Sequence, residues 1–368
     1  MKKILFITPF APSNIGAAMK FTKKTIESLA KTCIVDLVYF CAEGEQDYVP
    51  ESKNIRVVER LVVGKKERLL SVLQKPWLFP IFSVRYRRGI EKNIKKLCQD
   101  EKYDLVFLDH SQSFIYGKLF PLLPKILMSH DVIYQRVSRT SGKLISTWCK
   151  LTEKKMLCQK NAFIYSFSTK DQTIIKEQYG FDSFVTSGNV DDLVLSVTPT
   201  YISNNFIFFG QWVRKDNSEG LEWFLDNVYP SINSGFSFKI IGRGLPDSLL
   251  EKIKDYNNIE YLGFVDNPYQ MITEARAVLS PLFSGAGVKF KVLESMACGT
   301  PVIGSDIAFE GIPTKYKDLM IQADTVEEYI RAMDNVNINI AERQSLRNFF
   351  IDNYVKSQIV EHVKQIIE

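Results

Sequence analysis

The sequence predicts an α/β protein of two doubly wound domains that face one another across a cleft. Three features predict it: a length of 368 residues, two series of six short apolar runs, and a polar gap between the series. That length exceeds what a single core usually organises. Most of the runs are continuous rather than alternating, as expected of parallel strands covered on both faces.

The first series is "KILFITPF" at 3, "CIVDLVYF" at 33, "YDLVFLDH" at 103, "KILMSH" at 125, "AFIYSFS" at 162 and "SFVTSGN" at 183. Helical periodicity lies between the runs, for example over 17–31 and 86–98. Residues 1–190 are therefore expected to form the first domain. Around "NVDDLVLSVTPTYISNN" the pattern lapses into polar and turn-forming residues, which predicts a linker over 191–205. The second series is "FIFFG" at 206, "FKIIG" at 238, "IEYLGF" at 259, "AVLSP" at 277, "PVIG" at 301 and "LMIQAD" at 319. It predicts a second domain over 206–345. Beyond it, Leu346, Phe350, Tyr354, Ile359, Val363 and Ile366 fall at helical spacing. One amphipathic helix over 346–368, packing across the domains, follows from that stripe.

Hydrophobic residues at 45% and charged residues at 24%, without excess Gly or Pro, exclude a disordered or low-complexity chain. No apolar run approaches the roughly 20 residues needed to span a bilayer. The opening "MKKILFITPF" is broken too soon by Pro9 for a secretory signal. A cytoplasmic location is expected, with association at the inner face of the plasma membrane. Six cysteines show no CxxC pair and no His at ligand spacing, so core thiols are expected rather than a zinc site or disulfides. No metal and no cofactor are predicted.

Net charge is +5, but residues 65–96 hold ten Lys and Arg against two Glu, interleaved with "PWLFPIF" at 76–82. Cations flanking an apolar, aromatic wedge suit an anionic membrane surface. They equally suit a solvated helix face beside a buried loop. Nucleic acid is not expected as a partner, since no nucleic-acid module accompanies the patch.

Several predicted strands end in groups that favour phosphate. Gly210 is followed by Arg214 and Lys215, and "IIGRG" supplies Gly242 and Arg243. After "AVLSP" come Ser284, Gly285, Ala286, Gly287, Val288, Lys289 and Lys291. Glycine lets an anion reach backbone amides, a helix start adds partial positive charge, and Lys or Arg neutralises the rest. Three such mouths on one domain suggest a diphosphate. Glu294 suits a ribose, because a carboxylate accepts from both vicinal hydroxyls; a plain Lys–Glu pair on a helix face is the alternative. In the first domain, His110 and His130 both end strands on the edge expected to face the cleft, and histidine is suited to proton transfer near neutral pH. The first strand opens into "TPFAPSNIGAAMKF", where Asn14 and Gly16 are placed for an acceptor.

The order "FFGQW…RK", "IIGRG", "YLGFVDN", "SPLFSGAGVKFKVLESMACGTPVIGSD…EGI" resembles the donor domain of GT-B retaining glycosyltransferases of family 4. "ILFITPFAPSNIGAA" and "SHDVIYQR" are similar to that family's acceptor domain, so the resemblance covers nearly the whole chain. It implies two Rossmann-like domains and retaining, metal-independent transfer from a nucleotide-sugar donor, such as a UDP- or GDP-sugar. The acceptor implied is a saccharide or lipid-linked saccharide of a bacterial surface polysaccharide. By matching position, Arg214 and Lys215 imply diphosphate contacts, Val265 the nucleobase contact, Glu294 the ribose contact, and His130 a place near the reacting centre. Lys289, Glu294 and His130 are the expected catalytic set. The sequence departs from the pattern at Ala286, where many members carry a glutamate. Two other readings stay open at this point: a nucleotide-sugar 2-epimerase, and a non-catalytic GT-B binding subunit.

Overall fold

Ile4, Leu5, Phe6 and Ile7 are all wholly buried, which only a strand covered on both faces achieves. The structure is a computed structural model and describes residues 1–14, 17–187, 190, 192–232, 235–285, 287–355 and 359–368. Met1–Asn189 with Ser357–Glu368 form one unit, and Val190–Lys356 form a second.

The first unit holds β1 (Lys3–Thr8), β2 (Ile34–Cys41), β3 (Ile55–Val62), β4 (Leu105–Asp109), β5 (Lys125–Met128), β6 (Ala162–Ser166) and β7 (Phe184–Val185). They pair in parallel in the order β3-β2-β1-β4-β5-β6-β7. The edge strand β3, "IRVVERLV", is the one the sequence did not reveal. Its charged residues stay at the surface, so it lacks the continuous apolar run that marks its neighbours.

The second unit holds β8 (Asn205–Phe209), β9 (Ser237–Ile241), β10 (Ile259–Gly263), β11 (Ala277–Ser280), β12 (Val302–Gly304) and β13 (Met320–Gln322). All six fall on predicted runs, in the parallel order β10-β9-β8-β11-β12-β13. In each sheet the chain winds outward one way and then returns to wind the other way. Reversal falls between β1 and β4 in the first unit and between β8 and β11 in the second. Loops leaving these neighbours part company, and the crevice they leave is where open parallel sheets bind ligands.

The stripe expected on one terminal helix over 346–368 falls on three helical stretches among the described residues. A helix Ile340–Phe350 continues as a π-helical turn Ile351–Val355, and a separate helix Ile359–Ile367 follows. The last helix belongs to the first unit, where His362 Nδ1 meets the Tyr165 hydroxyl and its ring lies edge-on to Phe184. Cys33, Cys41, Cys149 and Cys298 are buried as expected, whereas Cys158 is exposed. Among the described residues no helix is long and apolar enough to cross a membrane.

Helix Ile340–Phe350 starts with a capping box between Asn339 and Glu342 and carries a buried arginine. Arg343 donates to the carbonyls of Ala275 (2.6 Å), Arg276 (2.7 Å), Thr273 and Ile338 (both 3.3 Å). It thereby satisfies carbonyls at the C-terminal end of helix Tyr269–Glu274. Arg343→Met is expected to lower stability by about 2–3 kcal/mol, because those carbonyls lose their donors. Urea unfolding checks this; an unchanged midpoint would show that the carbonyls find other partners.

Candidate active site

Two glycine mouths of the second unit lock into one another. Gly210 donates its amide to the Ile241 carbonyl (3.1 Å), and Gly242 to that of Gly263 (2.7 Å). Gly242 has φ +127°, and a Cβ there would lie 1.7 Å from the Gly210 carbonyl oxygen, so only glycine fits. Buried Trp212 fastens the pair, its amide donating to Arg243 O (2.9 Å) and its indole to Ile241 O (3.2 Å). Arg243 itself is exposed and stacks 3.8 Å over the exposed Phe264 ring, next to Val265.

The third mouth follows β11. Gly220 brings it close to helix Lys215–Trp223, since a Cβ there would lie 1.8 Å from the Pro281 carbonyl oxygen. Gly285 and Gly287 are left-handed, which keeps 285–289 out of the helix that starts at Phe290 rather than near Val288. Ser284 and Gly285 are half-buried, and Gly287, Val288 and Lys289 are buried. Ala286 lies outside the described residues.

Charges converge there. Arg214 is gripped at both nitrogens by Asp216, at 3.0 and 2.7 Å. Lys215 is exposed at the first position of its helix. Lys291 Nζ donates to Asn217 Oδ1 (2.7 Å), and Asn217 Nδ2 donates to Gln211 O (2.8 Å). Lys289 Nζ donates to Gly287 O (2.6 Å) and lies 3.7 Å from Glu310. A Cβ on Gly285 would sit 3.5 Å from Lys289 Cε and 3.7 Å from Asp216 Oδ2. Glu294 is buried in the middle of helix Phe290–Ala297.

Burial opposes ionisation of Asp216, yet Arg214 and Lys291 hold its carboxyl below the usual range. Burial pushes Lys291 down to about 7, with Asp216 opposing the fall and Arg214 and Lys289 adding to it. Arg214, Gly285, Lys289 and Lys291 are thus brought together. Asp216, Asn217 and Glu310 were not anticipated. They lie beside or beyond the basic residues that dominate each motif.

In the first unit, the ends of β1 and β4 meet at a buried carboxylate. Asp109 accepts from Thr8 (3.1 Å) and Thr22 (2.5 Å) at Oδ2, and from His130 Nε2 (2.7 Å) at Oδ1. This fixes the His130 proton on Nε2 and leaves Nδ1 as the basic nitrogen. His110 stacks on His130 with ring centres 3.4 Å apart, its Nε2 3.7 Å from Asp109 and without a hydrogen-bond partner. Phe21 and Phe167 close on His130 edge-on. Asn14 is exposed, and Gly16 lies outside the described residues. Burial would raise the Asp109 carboxyl, but both imidazoles and the hydrogen bonds keep it at about 2. Burial and the neighbouring His130 push His110 down to about 3, against the pull of Asp109. Ligand atoms of Asp109, His110 and His130 lie within 4.8 Å of one another. Asp109 is saturated by three donors and the two rings are parallel, which suits a carboxylate–imidazole dyad better than a cation.

The two parallel sheets and their switch-point sites define the GT-B fold of glycosyltransferases. WaaG, a glycosyltransferase involved in lipopolysaccharide biosynthesis, superposes with TM-score 0.67 at 13% identity, covering 99% of each chain. Residues 203–337 match the model of the glycosyl transferases group 1 family. The E. coli UDP-Gal:alpha-D-GlcNAc-diphosphoundecaprenol alpha-1,3-galactosyltransferase is 21% identical over 308 residues, 74% of this chain and 77% of that protein. An uncharacterized 44.6 kDa protein in the cps region of Klebsiella pneumoniae is 24% identical over 174 residues, 43% of this chain. That match spans less than half, 45%, of the Klebsiella protein.

The titration of His110 sets a stability window. Unfolded chain takes up a proton there below about pH 6.5, while the folded chain resists until about 3. Stability should therefore fall as pH drops through that window, with a further loss as Asp109 protonates between about 4 and 2. Urea midpoints measured across pH are expected to decline less steeply for His110→Gln. Equal slopes in the two proteins would remove His110 from this role.

Proposed function

We propose that the chain transfers a sugar from a nucleotide-sugar donor to an acceptor hydroxyl, with retention at the anomeric carbon and without a resident metal. Support comes above all from one observation: three glycine mouths open on a single sheet edge, with Arg214, Lys289 and Lys291 drawn together at it.

In this reading Arg214 or Lys215, with Lys289 or Lys291, takes the donor diphosphate, assisted by Gly210, Gly242 and the amides of 284–288. Glu294 holds the ribose, and Arg243 with Phe264 offers a flat cationic face beside Val265 for the base. The bond from the anomeric carbon to phosphate oxygen breaks as the acceptor oxygen bonds to that carbon on the same face. The acceptor's proton passes to the departing phosphate, whose growing charge the cations stabilise. His130, oriented by Asp109, positions the acceptor together with His110 and Asn14.

The name of the E. coli relative favours a UDP-sugar as donor and a lipid-linked saccharide as acceptor, and that of WaaG favours a surface polysaccharide. Work at the inner face of the plasma membrane follows, with 65–96 touching anionic lipid.

A panel of nucleotide sugars scored for transfer and donor hydrolysis tests the reading. With the donor found, Lys289→Ala is expected to lower kcat roughly 100-fold, and Glu294→Gln to weaken donor binding roughly tenfold. Wild-type values for both variants would mean these two roles are wrongly assigned.

Lys291 adds a pH signature. A folded pKa of about 7 leaves its ammonium charged below that value and neutral above it. Donor affinity should therefore weaken as pH rises from about 6 to 8, and Lys291→Met should lose this dependence. Calorimetric titration at several pH values checks it; a dependence surviving in the variant places the titrating group elsewhere.

A further inference from the structure

Helix Lys143–Leu157 buries polar residues beside Cys149, Met156 and Leu157 and leaves a row of large apolar ones outside. Ser146, Thr152 and Glu153 are buried, while Leu144, Ile145, Trp148 and Leu151 are exposed. Leu144 leaves 89% of its surface open and Leu151 63%. Positions 144, 148 and 151 are spaced four and three apart, so they line one face of the helix.

Buried hydrogen bonds enforce this orientation. The Glu153 carboxylate accepts from the amides of Ile133 (2.8 Å) and Tyr134 (2.9 Å) and from the Tyr179 hydroxyl (2.6 Å). The Thr152 hydroxyl accepts from the Phe79 amide at 3.1 Å. Rotating the leucines inward would strip those donors of their acceptors.

A second helix extends the apolar surface. Lys65–Gln74 exposes Leu69, Leu70 and Leu73, and Trp77 just beyond it is 59% exposed. The two helices are joined through Trp148, whose indole donates to Trp77 O (3.1 Å) and whose ring meets Phe79 edge-on at 5.3 Å. Most of "PWLFPIF" is not the wedge that the charge run suggested, because Leu78 and Phe82 are core residues. The apolar contribution comes instead from the leucines of both helices.

Cations surround it. Lys65, Lys66, Arg68, Lys143, Lys154 and Lys155 are exposed beside these side chains. Lys118 is held below the usual lysine range by burial and by the charges of Lys155 and Lys75, which places three lysines in one crowded group. On helix Lys143–Leu157 the sole carboxylate is Glu153, which is buried, and helix Lys65–Gln74 carries one, Glu67.

We propose that helices Lys65–Gln74 and Lys143–Leu157 form one bilayer-docking surface. The leucines and tryptophans enter the interface, and the lysines take anionic lipid headgroups. This deepens the membrane contact named above and is independent of the transfer chemistry. A self-complementary contact with a second copy fits less well, because it would bring two sets of lysines face to face.

The test uses the full chain, without donor, and phosphatidylcholine vesicles prepared with and without phosphatidylglycerol. Co-sedimentation should be strong only with phosphatidylglycerol, weaken with salt, and shift tryptophan emission to the blue. Leu144→Ser with Leu151→Ser should lower partitioning by roughly tenfold or more while leaving thermal unfolding unchanged. Lys143→Glu with Lys66→Glu should abolish the preference for phosphatidylglycerol. Binding equal on both vesicle types, or unaffected by the leucine variant, overturns the proposal. So does self-association that the leucine variant abolishes in a protein that ignores vesicles. Because no donor is present, these results stand apart from success or failure of sugar transfer.

Discussion

The hydrogen bond from Thr8 to Asp109 expresses the constraint on which the first unit depends. Thr8 closes β1 and Asp109 closes β4, neighbours in a sheet whose strands all run the same way. A parallel sheet buried on both faces offers a ligand only its edges, and its carboxyl edge gathers every outgoing loop. At the β1/β4 reversal no crossover covers that edge, so polar side chains at the two strand ends face one another. The second unit repeats the arrangement at β8 and β11, with Gly220 drawing one loop onto the other. Polar and charged side chains gather at corresponding places in the two units because topology leaves those places open.

Holding cations in such crevices before an anion arrives requires internal compensation. Asp216 clasps Arg214, and Glu310 lies near Lys289. Glu310 lies beside a buried ammonium, whose lost hydration alone would cost several kcal/mol, whereas Arg214 keeps most of its surface in water. Among the described residues the neutral Asn217 amide is the hydrogen-bond partner of Lys291, and burial pushes its ammonium down to about 7 although Asp216 opposes the fall. Asp109 performs the corresponding service for His130. A preformed partner costs affinity for a competing ligand but keeps each group aimed, which limits the reorganisation at the moment of reaction.

Strands buried on both faces were legible in the sequence because burial imposes a run of consecutive apolar residues. β3 was not, since an edge strand that keeps Arg56, Glu59 and Arg60 in water has no such run. The glycine mouths were legible because left-handed and tightly packed positions demand that residue. Their partners Asp216 and Asn217 were hidden: a short polar residue after Arg and Lys reads as ordinary helix start chemistry until Gly220 is seen to bring that helix to the loop after β11. Asp109 stands in plain view before His110, but its three donors come from the end of β1, from helix Ala17–Leu29 and from just beyond β5, which only the fold brings together. The terminal stripe falls on helix Ile340–Phe350, its π-helical continuation Ile351–Val355 and helix Ile359–Ile367, because helical period marks the buried face of each.

Helix Lys143–Leu157 shows why periodicity alone cannot say which face lies inside. Both of its faces carry apolar residues, so hydrophobicity gives no decisive orientation. Three donors to Glu153 and one to Thr152 decide it, since leaving each unmet would cost about 1–3 kcal/mol, as much as burying a leucine gains. Thr152 and Glu153 go in where donors wait for them, and Leu144 and Leu151 are left outside.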